Sequence, residues 1–275
     1  MFILIYYFAF YPPANFPTGS IVTLENGVGL SALAEELHSE HVIRSPIWFR
    51  AAVIIFGGER GLKAGDYFLK DKQNGIAMAW RMVKAERDLA LVKITIPEGY
   101  TVAQIADLFD KRFIKFSKSI FLATAPEGYV FPDTYFIEVN ATAATAIELF
   151  RNNFDRQVAK LAPDFAASKH TQGEIITMAS ILEAEVQTPE DKALVAGILW
   201  KRLSLGMPLQ VDSAGATYKV LGLPPKPLNN PGLVSIKAAL NPTASPYLYF
   251  ISDKNGTIHY AKTIDEQTRN IQKYL

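Results

Sequence analysis

The chain has 275 residues, of which 49% are hydrophobic and 20% are charged, enough for one large or two modest globular domains. With 28 basic and 27 acidic residues the net charge is +1, so we expect no nucleic-acid partner. The absence of cysteine excludes disulfides, cysteine nucleophiles and thiolate metal sites. His38 and His41 share one face of a predicted helix without a third ligand nearby, so we expect no metal and no other cofactor.

The first eleven residues, MFILIYYFAFY, are continuously apolar and are followed by two prolines. A membrane-spanning helix needs about 20 apolar residues, and a signal peptide usually has a basic head. We therefore expect residues 1–16 to be the remnant of an N-terminal membrane anchor whose basic flank is missing. The alternative is a buried first strand.

Residues 17–115 are predicted to form a small subdomain built from two strand-turn-helix patterns. Residues 21–43 read as a short strand, a turn at Gly27 and an amphipathic helix, and residues 94–114 repeat that plan 72 positions later with a turn at Gly99. The stretch between them predicts a helix at 47–56, a short strand at 67–69 and a helix at 76–84. This strand-helix-strand arrangement resembles the peptidoglycan-binding LysM module, although a structural spacer would have the same pattern.

Residues 116–275 are predicted to form a mixed, helix-rich domain, which makes the whole chain α+β. It begins with a compact aromatic loop at 126–136, PEGYVFPDTYF, which we interpret as buried turn packing. Helical periodicity follows at 141–161. The domain ends with two strands around the Asn255–Gly256 turn and a closing helix from Ile264, a pattern typical of a β-hairpin.

The central stretch of this domain is TQGEIITMASILEAEVQ, residues 171–187. Thr171 and Glu174 form a capping box, which predicts the start of a helix. Apolar residues recur at three- and four-residue spacing and predict burial of most of the helix surface. Thr188, Pro189 and Gly206 mark the ends of a second helix, which makes a tight hairpin with the first.

Glu183 lies about 100° around the first helix from Leu182, at the rim of the buried face, where its carboxyl group is partly desolvated. Glu185 is about 200° away, so the two carboxyl groups cannot act as a pair. Ordinary glycoside hydrolysis requires two carboxyl groups across the scissile bond. Glu183 alone therefore suits a substrate that brings its own nucleophile, although most lone helical glutamates are solvated or capping residues.

Several blocks resemble the YceG-like family, the endolytic murein transglycosylases known as MltG. In chain order they are EGYVFPDTY, ASILEAE, GMPLQVD, TYKVLGLPP, NNPG, YLYF and GTIHYAKT, and the resemblance extends from about Gly19 to the C terminus. It implies an enzyme of the cytoplasmic (inner) membrane, held by one N-terminal helix, that cuts nascent peptidoglycan strands outside the cytoplasm. It also implies a LysM-like subdomain and interaction with a penicillin-binding protein synthase.

The resemblance implies that Glu183, the first glutamate of the ASILEAE block, is the catalytic residue. In that family one carboxyl group protonates the glycosidic oxygen and then takes the proton of the sugar's C6 hydroxyl, which closes onto C1 as 1,6-anhydro-N-acetylmuramic acid. Gln210 and Asp212 match polar groups that line the sugar cleft, with Tyr218 and Asn230 behind them.

Two positions depart from the family pattern. The segment between the L-Q-x-D block and the T-Y block is shorter here, which shortens the rim of the expected cleft. Near the C terminus, Glu266–Gln267 replaces the usual Glu-His, a change that we interpret as structural. Two further hypotheses stay open: a hydrolytic muramidase with Asp212 as its second carboxyl group, and an inactive glycan-binding or scaffolding protein of the elongating cell wall.

Overall fold

The computed structural model describes residues 10–58 and 60–275. Within these ranges no helix is both long and apolar enough to cross a bilayer. Most of the segment expected to be an anchor, residues 1–9, lies outside the described residues. The architecture is mixed α+β and rich in helices, with small two-stranded sheets, as predicted.

The chain forms two compact units, which we describe separately. The first comprises residues up to Val92 together with Arg112–Lys115 and Ile137–Ala141, and the second comprises Lys93–Lys111, Phe116–Phe136 and Thr142–Leu275.

The first unit contains two strands with two helices between them, followed by a third helix. In chain order these are β1 (Ile21–Leu24), α1 (Leu30–Ser39), α2 (Pro46–Gly57), β2 (Gly65–Phe68) and α3 (Gly75–Lys84). Strands β1 and β2 are antiparallel, with Ile21 opposite Phe68 and Leu24 opposite Gly65. The strand predicted at 67–69 begins two residues earlier in the structure, because Gly65 and Asp66 also pair with β1. Apolar side chains of all three helices pack together with those of both strands.

Strands β3 (Leu91–Thr95) and β4 (Thr134–Glu138) form a second two-stranded sheet. The last three residues of the predicted loop at 126–136 therefore belong to strand β4, because the chain pairs with β3 from Thr134 onward. The helices that follow β3 and β4 are α4 (Val102–Asp110), α5 (Lys118–Thr124), α6 (Ala143–Ala159) and α7 (Ala162–Ala167).

The core of the second unit surrounds α8 (Gln172–Glu185), which packs against α9 (Pro189–Ser204) and α10 (Leu233–Leu240). All eight residues from Ile175 to Leu182 are buried, as the apolar periodicity predicts. Burying a side chain the size of Leu or Ile contributes about 1.5–3 kcal/mol, so α8 is held firmly in place. Between α9 and α10 the chain makes a 3₁₀ segment at Asp212–Tyr218 and a proline-rich loop.

The unit ends with the predicted hairpin and helix: β5 (Tyr249–Ser252), β6 (Ile258–Ala261) and α11 (Ile264–Tyr274). Tyr249 pairs with Ala261, and Gly256 has a φ of 80°, which the Asn-Gly turn requires. The amide of Gln267, on α11, donates a hydrogen bond to the Phe250 carbonyl oxygen at 3.0 Å. This contact joins the closing helix to the hairpin.

Candidate active site

Helix α8 begins at the predicted capping box. The Glu174 amide donates to Thr171 Oγ1 at 3.3 Å, and the Thr171 amide donates to Glu174 Oε2 at 2.8 Å. These bonds satisfy donors that the first turn of a helix leaves open. Together with the buried face of α8, they fix the position of Glu183 near the other end of the helix.

Three donors converge on the Glu183 carboxylate. Lys192 Nζ donates to Oε1 at 3.0 Å, while the Gly232 amide at 3.0 Å and the Ser235 hydroxyl at 2.7 Å donate to Oε2. The side chains of Glu183 and Lys192 are only 9% and 5% exposed. A carboxylate at this depth requires such partners, because an unpaired buried charge is costly.

The donors come from two elements that pack against α8. Lys192 lies on α9, whereas Gly232 is the N-cap of α10 and Ser235 lies in its first turn. A helix N-terminus carries a partial positive charge and open amide groups, so it favours a carboxylate at this position. The site therefore holds the Glu183 carboxyl group on a rigid scaffold.

Asn230 connects three loops next to this carboxylate. Its Oδ1 accepts the amides of Gly128 and Val130, each at 2.9 Å, and its Nδ2 donates to the Tyr100 carbonyl at 2.9 Å and to Glu127 Oε1 at 2.8 Å. Asn230 is completely buried. Its side chain fixes the segment that leads to Gly232, which in turn binds Glu183.

Glu98 is a second carboxyl group at the site, and the sequence analysis missed it. A Cβ built on Gly232 would lie 1.9 Å from Glu98 Oε1, so the Glu98 carboxyl group lies directly against the residue that binds Glu183. Burial of that carboxyl group raises its pKa, the negative charge of Glu183 raises it further, and Lys192 acts in the opposite direction.

A repeated tetrapeptide could have revealed Glu98. Pro-Glu-Gly-Tyr occurs at 97–100 and again at 126–129, and in both copies the Tyr amide donates to the Pro carbonyl across a turn, at 3.4 and 3.2 Å. The glycines have φ values of 76° and 89°, as a turn with glycine in its third position requires. Both turns are bound by Asn230, because the Gly99 amide donates to its carbonyl at 2.9 Å and the Gly128 amide to its side chain.

Three of the predicted substrate-binding residues lie together in a second group. Tyr218 donates to Asp212 Oδ1 at 2.6 Å, and Arg202 Nη2 donates to Gln210 Oε1 at 2.5 Å. They line a pocket that also includes Glu185, whose Oε1 accepts the Ser213 amide at 2.6 Å. The pKa of Tyr218 is raised to about 12, mainly by its hydrogen bond to Asp212 and to a smaller extent by burial.

The four predicted substrate-binding residues are thus divided between two places. Gln210, Asp212 and Tyr218 share the pocket with Glu185, while Asn230 belongs to the loops around Glu183. The contacts above place the Glu98 carboxyl group against Gly232 of the Glu183 network, and they place Asp212 in the other group. A direct contact of any of the four residues with a glycan stays a prediction.

The chain is similar to known proteins over most of its length. The model of the YceG-like family matches residues 22–215 and 216–273, and the two segments meet in the 3₁₀ stretch. A protein of Bacillus subtilis named endolytic murein transglycosylase is 28% identical, with 92% of this chain and 84% of the relative covered.

A relative from Streptococcus pneumoniae with the same name is 27% identical over 78% of this chain, which spans about half (51%) of that protein. A crystal structure of a yceG-like protein from Listeria monocytogenes has a TM-score of 0.61 at 27% identity and covers 91% of this chain and 98% of its own. Since the family model matches nearly the whole chain, the protein belongs to the YceG-like family.

Proposed function

We propose that this protein is an endolytic peptidoglycan lytic transglycosylase that cleaves nascent glycan strands. The observation that carries the proposal is the buried Glu183 carboxyl group, which Lys192, Gly232 and Ser235 hold on packed helices. Relatives that are named endolytic murein transglycosylases, one of them similar over most of its length, support the same reaction.

The proposed reaction assigns two proton transfers to Glu183. Its carboxyl group protonates the glycosidic oxygen, and the resulting carboxylate takes the proton of the muramic acid C6 hydroxyl. The C6 oxygen then bonds to C1, which leaves a 1,6-anhydro-N-acetylmuramic acid end without attack by water. General acid and base catalysis of this kind contributes about 10²- to 10⁴-fold to a rate.

Substrate contacts are proposed for both places described above. The pocket that contains Gln210, Asp212 and Tyr218 offers hydroxyl, amide and carboxylate groups for sugar hydroxyls, and Arg202 adds a positive charge. Asn230 is proposed to support the site indirectly, because its hydrogen bonds hold the loops that carry Glu98 and Glu127. Residues 17–115 are proposed to include a LysM-like glycan-binding subdomain, supported by the antiparallel β1–β2 pair with α1 and α2 between its strands.

We also propose that the protein works at the outer face of the cytoplasmic membrane, close to a penicillin-binding protein synthase that supplies new strands. The apolar residues 1–11 support this location. A topology reporter fused to the start of the chain and its upstream codons tests it. A cytoplasmic reporter signal would overturn the export of the catalytic domain.

The reaction is tested by incubating the purified chain with uncrosslinked glycan strands and weighing the products. We expect anhydro-muramyl ends from the wild-type chain and from Glu148→Gln, which changes an exposed glutamate on α6, and none from Glu183→Gln. Thermal melting of all three proteins shows whether the loss reflects chemistry or unfolding. Anhydro ends that persist in folded Glu183→Gln would overturn the role of Glu183.

A hydrolytic muramidase is the second candidate, and the presence of Glu98 beside the Glu183 network favours it, because hydrolysis uses two carboxyl groups. The same mass measurement separates the two reactions, since each hydrolysed end is heavier by one water. The third outcome is that neither the wild type nor any variant releases product, while the wild type and Glu183→Gln bind strands equally. That result would replace both the lyase and the muramidase hypotheses with the glycan-binding or scaffolding role.

A further inference from the structure

Gly232 connects two carboxyl groups in the candidate active site. Its amide donates to Glu183 Oε2 at 3.0 Å, and a Cβ built on it would lie 1.9 Å from Glu98 Oε1 and 2.7 Å from Glu98 Oε2. These distances, together with ordinary N–Cα and Cα–Cβ bond lengths, limit the separation of the nearest Glu98 and Glu183 oxygens to at most about 8 Å. One sugar unit therefore reaches both groups.

The two carboxyl groups differ in their access to a glycan. Glu183 is 9% exposed in its side chain, whereas Glu98 is exposed as a residue and only its carboxyl group is partly shielded from water, where it lies against Gly232. Glu98 nevertheless lies in a fixed turn, because two backbone hydrogen bonds join this turn to Asn230. The Gly99 amide donates to the backbone carbonyl of Asn230 at 2.9 Å, and the backbone amide of Asn230 donates to the Tyr100 carbonyl at 3.0 Å. The backbone that carries Glu98 is therefore held in place, with the carboxyl group beside Gly232.

The two carboxyl groups have different surroundings. Lys192, the Gly232 amide and the Ser235 hydroxyl all donate to Glu183 and stabilise its carboxylate. The groups that act on Glu98 are Glu183, from α8, and Lys192, from α9. The pKa of Glu98 is raised first by burial and then by the Glu183 charge, with Lys192 opposing. A pair of carboxyl groups with such different environments is typical of an acid and a base in one site.

We propose that Glu98 is a catalytic residue that donates the proton to the glycosidic oxygen, while the Glu183 carboxylate acts as the base. As the bond from C1 to the glycosidic oxygen breaks, that oxygen takes the proton of Glu98. The C6 oxygen bonds to C1 and its proton passes to Glu183. Transfer of that proton through water to Glu98 restores both groups. This inference rests on the proposed lyase function and divides between two residues the proton transfers assigned there to Glu183.

The test compares the full-length wild-type chain, in detergent, with Glu98→Gln and the control Glu148→Gln. We expect Glu98→Gln to lower kcat/KM on glycan strands by about 100-fold or more, and to remove the fall in rate that the wild type shows as Glu98 loses its proton at high pH. Glu148→Gln should keep both the rate and the pH profile of the wild type. An unchanged rate and an unchanged alkaline limb in Glu98→Gln would overturn the proposal.

A second substrate and a second variant separate acid catalysis from a structural role. On a glycoside with an aryl leaving group, which departs without protonation, Glu98→Gln should recover to within about 10-fold of the wild type, whereas Glu183→Gln should not. Glu98→Asp keeps a carboxyl group and should restore part of the rate together with the alkaline limb. An equal defect of Glu98→Gln on both substrates would contradict an acid role.

The outcomes also separate this inference from the proposed function. An active wild type with an unaffected Glu98→Gln variant would remove only the acid role of Glu98. An inactive wild-type chain would overturn the lyase function, and the inference would fail with it.

Discussion

Replacing Lys192 with methionine tests how strongly the buried ion pair supports the site. Methionine keeps an unbranched side chain of similar length and removes the ammonium group that lies 3.0 Å from Glu183 Oε1. Both side chains are less than one-tenth exposed, so solvent cannot replace the lost partner. The Glu183 carboxylate would keep only its bonds to Gly232 and Ser235.

Removing one member of a buried ion pair usually costs about 3–5 kcal/mol. The two remaining donors place this case near the lower end, so we expect Lys192→Met to lose about 3 kcal/mol of unfolding free energy. At roughly 2–4 °C for each kcal/mol in a protein of this size, the melting temperature should fall by about 6–12 °C. The loss of activity should exceed the loss of folded protein, because the carboxylate also loses a group that fixes its orientation.

Thermal melting followed by circular dichroism measures this effect. The double variant Lys192→Met/Glu183→Gln removes both charges and should recover most of the stability, since a neutral pair leaves no buried charge uncompensated. Lys160→Met, which changes an exposed lysine after α6, is the matched control and should melt like the wild type. If Lys192→Met melts within about 2 °C of the wild type, the ion pair contributes little and the reasoning fails.

Two further predictions concern the residues around this site. Asn230→Ala leaves the amides of Gly128 and Val130 without their partner and removes one of the two hydrogen bonds to the Tyr100 carbonyl, so we expect a loss of about 3 kcal/mol in urea unfolding. An unchanged midpoint would show that water replaces these bonds. A difference titration of the wild type against Tyr218→Phe should place the Tyr218 pKa at about 12. Because the Asp212 contact disfavours the tyrosinate, Asp212→Asn should lower that pKa, and an unchanged titration would contradict its cause.

Much of the local structure was predictable because its signals lie within a few residues of one another. The Thr171–Glu174 capping box, the apolar periodicity of α8, the Thr188–Pro189 start of α9 and the Asn-Gly turn all appear where the sequence places them. Each depends on short-range sterics or hydrogen bonds, which a given set of residues satisfies in nearly the same way in most folds. The rim position of Glu183 followed from helix geometry alone.

The partners of Glu183 were not predictable in this way. Lys192 follows it by nine residues, but Gly232 and Ser235 are 49 and 52 residues away along the chain. Asn230 reaches Tyr100 across 130 residues, and no period in the sequence encodes such a contact. The position of Glu98 depends on the same long-range bonds, because its turn is held by Asn230.

The sequence by itself determined the family resemblance, the helix that carries Glu183 and the closing hairpin, because those features depend on local patterns and on the order of short motifs along the chain. The tertiary structure alone decided which groups surround that carboxylate. Packing α9 and α10 against α8 removes the site from water, and only donors brought from distant segments can then compensate the buried charge. Long-range hydrogen bonds of Asn230 likewise hold the turn that brings a second carboxyl group, Glu98, against Gly232.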